Sequence, residues 1–144
     1  MISITDIKSF ANLTEDELET VVRIKEVLKL RPSGKLGIQG SAMEFDDLNV
    51  KLNDILFSLQ FQLANDKLDM DTILSRYYHD KMGLYKEKEL YYKFLNDTGV
   101  DSATYKALIL RVDRLKAFIE HLDKLGWIIK SRVETLRIAH STDY

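Results

Sequence analysis

At 144 residues, 45% apolar and 31% charged, the chain has the size and composition of one folded domain with a real core. Six Gly and one Pro leave little room for a turn-rich β architecture, and the absence of Cys excludes disulfides and thiolate chemistry and suits a reducing cytoplasm. The net charge of −2 counts mildly against nucleic-acid binding, although a local patch suffices for it and residues 101–144 carry 8 basic against 6 acidic groups.

The first legible element begins at Thr14. Thr14 is placed to cap a helix, Glu17 three residues on completes a capping box, and Leu13 and Leu18 form a hydrophobic staple. Leu18, Val21, Val22, Ile24, Val27 and Leu28 carry an amphipathic helix to about Leu30, where Arg31-Pro32-Ser33-Gly34 stops it. Residues 35–43, with Gly37 and Gly40 and little periodicity, read as an ordered loop or a short strand pair. That segment marks a boundary between an N-terminal appendage, residues 1–45, and a body of residues 46–144. The opening Met1-Ile2-Ser3-Ile4-Thr5-Asp6 lacks the basic-then-apolar order of a secretory leader, and no run of about 18 apolar residues offers a membrane span.

In the body, Asp46 or Asp47 caps a second helix on which Leu48, Leu52, Ile55, Leu56, Leu59 and Leu63 recur at helical spacing, widened by Phe45, Phe57 and Phe61. It runs to about Met82 or pauses near Asp66 to Asp69. Gly83 weakens continuation, a third piece spans about Leu84 to Leu95, and Asn96-Asp97-Thr98-Gly99 turns into a long helix capped by Asp101 or Ser102.

That last helix carries a heptad seam. Tyr105, Leu108, Val112, Leu115, Ile119, Leu122, Gly126, Ile129, Val133 and Leu136 alternate at three and four residues. A helix of about 38 residues extends roughly 57 Å, longer than a compact domain of this size is wide. It therefore breaks near Gly126 or needs a second chain; Gly at a seam position also suits a bend or a close helix approach. Leu115, Ile119, Leu122, Ile129, Val133 and Leu136 are the candidate oligomerisation residues, and the fold class is all-α, a small helical bundle with this C-terminal helix projecting or bent.

Catalytic signatures are absent. His79, His121 and His140 lack ligand spacing. Asp66, Asp69 and Asp71 lack the Gly and closing Glu of a calcium loop, and Gly34-Lys35 lacks the rest of a phosphate loop. No metal, cofactor or enzymatic role is expected. The chemistry-bearing stretch is aromatic and basic: Arg76-Tyr77-Tyr78, Lys81, Lys86, Lys88, and Tyr91-Tyr92-Lys93, with six of the seven Tyr between 77 and 105. Cations along the backbone and rings under the bases are what single-stranded nucleic acid takes. The competing reading sets the rings at the edge of a helical bundle, apolar faces inward, with Asp80, Glu87 and Glu89 diluting the charge.

Residues 70–144 resemble the UvsY-type recombination mediators of T-even-like phages. The likeness rests on Arg76-Tyr77-Tyr78 with Lys81, on Leu90-Tyr91-Tyr92-Lys93 before the Asn96-Asp97 turn, on the long helix through Leu125-Gly126-Trp127-Ile128-Ile129-Lys130, and on Ile129 to Ile138. The N-terminal half departs from the family, with acidic residues 14–19 where a Lys-rich helix is expected. The resemblance implies a non-enzymatic accessory protein of recombination and repair. Such proteins form homo-oligomers through C-terminal helices, bind single-stranded DNA, and help load a RecA-like recombinase in the presence of its single-strand-binding protein, in the host cytoplasm. Arg76 is the position it carries over to DNA contact; Tyr77, Tyr78, Lys81, Lys86, Lys88, Tyr92 and Lys93 join it from the charge and aromatic pattern. The alternative is an oligomeric helical adaptor with no nucleic-acid role.

Overall fold

The computed structural model describes the backbone of residues 3–29, 35–81, 83 and 86–142, and side chains within these apart from 35–42, 87, 88 and 139–142. Five helices follow in order among the described residues: α1 Ile4–Phe10, α2 Glu15–Val27, α3 Lys35–Lys81, α4 Glu87–Asn96 and α5 Val100–Thr142. The frame is the antiparallel pair α3 and α5. Its direction is fixed by cross-helix ion pairs, with Asp46 meeting Arg137, Asp66 meeting Arg111 and Arg76 meeting Asp101. Partners late on α3 are early on α5.

Both short N-terminal helices are started by reciprocal caps. Ser3 accepts from the Asp6 N–H while the Asp6 carboxylate accepts from the Ser3 N–H, and Thr14 and Glu17 repeat the arrangement for α2. Each box satisfies two amide donors that a helix start otherwise leaves open. The helix α1 escapes a search for long periodic runs because seven residues hold only two turns; the Ser3-Asp6 box is its signal.

The expected division at residue 45 does not describe the molecule. The helix α3 passes through it unbroken, and Ile7, Phe10, Leu18, Val21, Ile24 and Val27 share one buried cluster with Leu48, Leu52, Leu59 and the α5 seam. Gln62 holds the two parts together. From within α3, its amide donates to the Phe10 carbonyl (2.9 Å) and accepts from the Asn12 N–H (2.8 Å), satisfying the α1–α2 link where solvent is excluded. Arg23 on α2 reaches Glu44 on α3 at 2.6 Å, and Phe10 meets Phe118 edge-on at 5.6 Å.

The strand or loop expected over 35–43 is corrected too: those residues are the first turns of α3. Gly37 and Gly40 each lower helix propensity by about 1 kcal/mol. Extending an existing helix costs no new nucleus, however, and Phe45, Leu48 and Leu52 anchor the adjoining turns. Asp46 and Asp47 then lie inside the helix rather than at its cap; Asp46 pairs with Arg137 and Asp47 with Lys51.

The seam prediction changes most in meaning. Leu115, Leu122 and Ile129 are 0% exposed, and Ile119, Val133 and Leu136 are buried, in a cluster made by this chain alone. The expectation that these six residues cover themselves with a second chain is thereby corrected. A 47-residue α3 lies alongside, long enough to cover a 43-residue α5. A helix of this length needs no second chain when a second rod from the same chain, rather than a compact globule, lies beside it. α5 is continuous through Gly126, whose place is a close approach: a Cβ there would stand 3.4 Å from Leu52 Cδ2. Gly126→Ala fits at that distance and gains helix propensity, so thermal unfolding should rise by a few degrees. A fall would mean Leu52 cannot yield.

Candidate nucleic-acid interface

The aromatic and basic segment gathers at the closed end of the hairpin. The helix α3 ends at Lys81, Gly83 adopts φ +84°, and α4 begins after Lys86. A positive φ is nearly free for glycine and costly for other residues, which makes Gly83 the natural stop for a long helix. After α4, the Asp97 carboxylate accepts from the Gly99 N–H at 2.9 Å, closing the turn into α5. Ser102, buried in the first turn of α5, donates its hydroxyl to the Phe94 carbonyl at 2.6 Å and so ties α4 to α5. Asp101 and Ser102 are thus inside α5 and do not cap it.

Beneath this end lies a second small core of Ile73, Phe94 and Tyr105, flanked by Tyr77, Leu74, Leu108 and Ile109. Tyr77 stacks tilted on Phe94 at 4.8 Å, and Phe94 meets Tyr105 edge-on at 5.0 Å. Burial, then the neighbouring Tyr91 hydroxyl with which it shares a hydrogen bond, raises the Tyr105 pKa above its ordinary value. Tyr77 is therefore a packing residue, its ring directed to Phe94, and Tyr78 is half-buried with a partner of its own.

Arg76 is on the surface, but its guanidinium is held by both carboxylate oxygens of Asp101, at 2.9 and 3.3 Å. An exposed pair of this kind contributes little stability and can be exchanged for a phosphate. Lys81 is half-buried at the end of α3, and Lys86 is exposed at the α4 N-cap position. The side chain of Lys88 lies outside the described residues. Tyr92 is 68% exposed, with Tyr91 beside it at a ring separation of 6.3 Å, and Lys93 is exposed next to them with a partner in place. The structure thus divides the predicted group. Tyr77 belongs to the core, Arg76 is engaged with Asp101, and Lys86, Tyr92 and Lys93 share α4 or its start. Asp80 and Glu89 are exposed at the same end and keep its charge mixed.

Asp66 is not a metal ligand in waiting, because its carboxylate is spent on Arg111, with bonds of 2.8 and 2.6 Å. Burial foremost, then Lys25 and Lys124, lowers the His121 pKa; His79 lies far along the chain at the exposed end of α3. Among the described residues no three His, Asp or Glu converge as a metal site requires, and no helix is long and apolar enough to cross a membrane.

One surface escaped the sequence reading. Val50, Phe57, Phe61 and Leu68 stand out from α3 at exposures of 61, 73, 64 and 63%. Phe57 and Phe61 looked like a widening of the core stripe, yet they occupy the opposite side of the helix. Their seven-, four- and seven-residue spacing was the available signal.

The class the fold defines is an all-α bundle built on one antiparallel hairpin of long helices. Comparison with protein-family models, with curated proteins and with solved structures finds no match to this chain.

Proposed function

We propose that this chain is a non-enzymatic, UvsY-like accessory protein of phage recombination and repair. It binds single-stranded DNA and helps load a RecA-like recombinase in the presence of a single-strand-binding protein. It acts as a homo-oligomer in the host cytoplasm. The observation that carries the reading is the exposure of Tyr92 on α4, at 68%. A ring at the edge of a bundle ordinarily turns its apolar face inward, as Tyr77 does; Tyr92 turns it out, next to Lys93 and within a turn or two of Lys86. A base stacks on such a ring while lysines follow the phosphates. One α4 is a weak site, and several carried on one oligomer act together on a strand.

The test is fluorescence anisotropy with labelled oligo-dT. Affinity should fall steeply with salt, Tyr92→Ala should weaken binding by roughly five- to a hundredfold, and Lys86→Ala should lower the log–log salt slope by about 0.7. Signal at background in low salt would reject the reading. That outcome favours the alternative, an oligomeric helical adaptor without nucleic-acid contact. The observation supporting the adaptor is the apolar surface left open away from α4, including Phe57 at 73% and Trp127 at 70% exposure.

A further inference from the structure

The helix α3 is apolar on two opposite sides. Its inner stripe, Phe45, Leu48, Leu52, Ile55 and Leu59, is buried against the rest of the bundle. At 100° per residue, Val50, Phe57, Phe61 and Leu68 fall within about 20° of the diametrically opposite line. All four are more than 60% exposed, and Met43, seven residues before Val50, extends the line at 66%. Scattered surface apolar residues need no explanation, whereas a contiguous row at heptad spacing is the seam of a helix that packs on another helix.

We propose that a second copy of this chain covers the row, with the two α3 helices antiparallel about a two-fold axis at the level of Leu59. The arrangement follows from self-complementarity. In that register Phe57 meets the partner's Phe61, and Val50 meets the partner's Leu68. On one flank Lys51, 55% exposed at its side chain and already paired with Asp47 of its own helix, comes within two residues of the level of the partner's Asp69, which is also at the surface. Asp54, the exposed acid nearest the middle of the row, lies within one residue of the level of the partner's Asn65, an amide able to donate to it. A parallel pairing would instead set each Asp54 against its own copy, and like charges within a seam are repelled.

The five side chains would cover roughly 600 Å² on each copy, about 1,200 Å² in all, the lower bound for a specific stable pair. The row lies opposite the bundle core, so docking needs no rearrangement of either copy. This pairing does not rest on DNA binding, and it uses none of the α5 seam residues.

The experiment is light scattering coupled to size exclusion on the full chain, followed by cross-linking. The native protein should have a mass twice the 16.7 kDa of one chain, or a higher even multiple if such pairs assemble further. Phe57→Asp with Phe61→Asp should halve the mass of the pair or weaken association at least a hundredfold. Helical circular dichroism should be unchanged, because both side chains already face water. Since the chain has no Cys, Val50→Cys and Leu68→Cys chains can be made separately, each with one thiol. A short bis-maleimide should join the two when mixed and neither to itself. A native monomer at high concentration, an assembly indifferent to the double substitution, or Val50→Cys joining itself would each overturn the pairing; the monomer result would leave the row to a different protein. Oligo-dT binding is read separately, so failure of the DNA reading and failure of the dimer are distinguishable.

Discussion

Leu122→Asp should unfold the protein rather than release folded subunits. Leu122 is 0% exposed, at the centre of α5 in the cluster shared by α1, α2 and α3. Losing a buried leucine costs about 2–5 kcal/mol through lost transfer energy and cavity. A carboxylate in the same place must also lose its hydration or be protonated. Against a total stability of about 5–15 kcal/mol, the sum removes most or all of the fold. Helical circular dichroism and a urea titration give the result. A folded, fully helical, smaller species would return the α5 seam to an interface between chains. The contrast with Phe57→Asp on the other helix is the sharper part: similar chemistry, placed on an outward face, should leave helicity intact.

Arg111→Ala should be the most damaging change to a single polar contact. Asp66 is 3% exposed at its side chain and both its oxygens are bound by the Arg111 guanidinium. The same bonds, outweighing partial burial, raise the Arg111 pKa further above its already high value, so the cation is present at every accessible pH. Removing one partner of a buried pair costs about 3–5 kcal/mol. Arg111 is 39% exposed at its side chain, so water would reach part of the gap, and about 2–3 kcal/mol is the expected loss in a urea titration. Replacing both, Asp66→Leu with Arg111→Leu, should restore stability to within about 1 kcal/mol of the parent or above it. If the double variant is as weak as the single one, the pair contributes something other than relief of a stranded charge.

What the residues disclosed and what they withheld follow from the range of each signal. The Thr14 cap, the stop beyond Lys81 and the turn at Asp97–Gly99 are local, set by side chains within a few positions of the backbone they satisfy, and these were legible. The stripe on α5 was legible as a stripe. Its partner was not, because a heptad pattern states that a helix is covered and not by which chain. The helical state of segment 35–43 is not legible locally, because its two glycines weigh on local propensity whereas its state is decided by continuity with the anchored turns after Phe45. At the proposed interface, Tyr77 and Tyr92 belong to one run of residues rich in tyrosine. Only the packing of Phe94 on Tyr77 and Tyr105 separates the inward ring from the outward one.

The Arg–Asp contacts between α3 and α5 also determine which alignments the hairpin excludes. Leucine-rich heptads tolerate sliding by seven residues, since apolar side chains then meet apolar side chains again. Slid by one heptad in either direction, Asp66 would lie across from Phe118 or Thr104, and Arg111 across from Ile73 or Leu59. No cation waits at either address. The greasy rows alone would leave two long rods free to settle in several offsets, and one deep carboxylate makes all but one of them untenable.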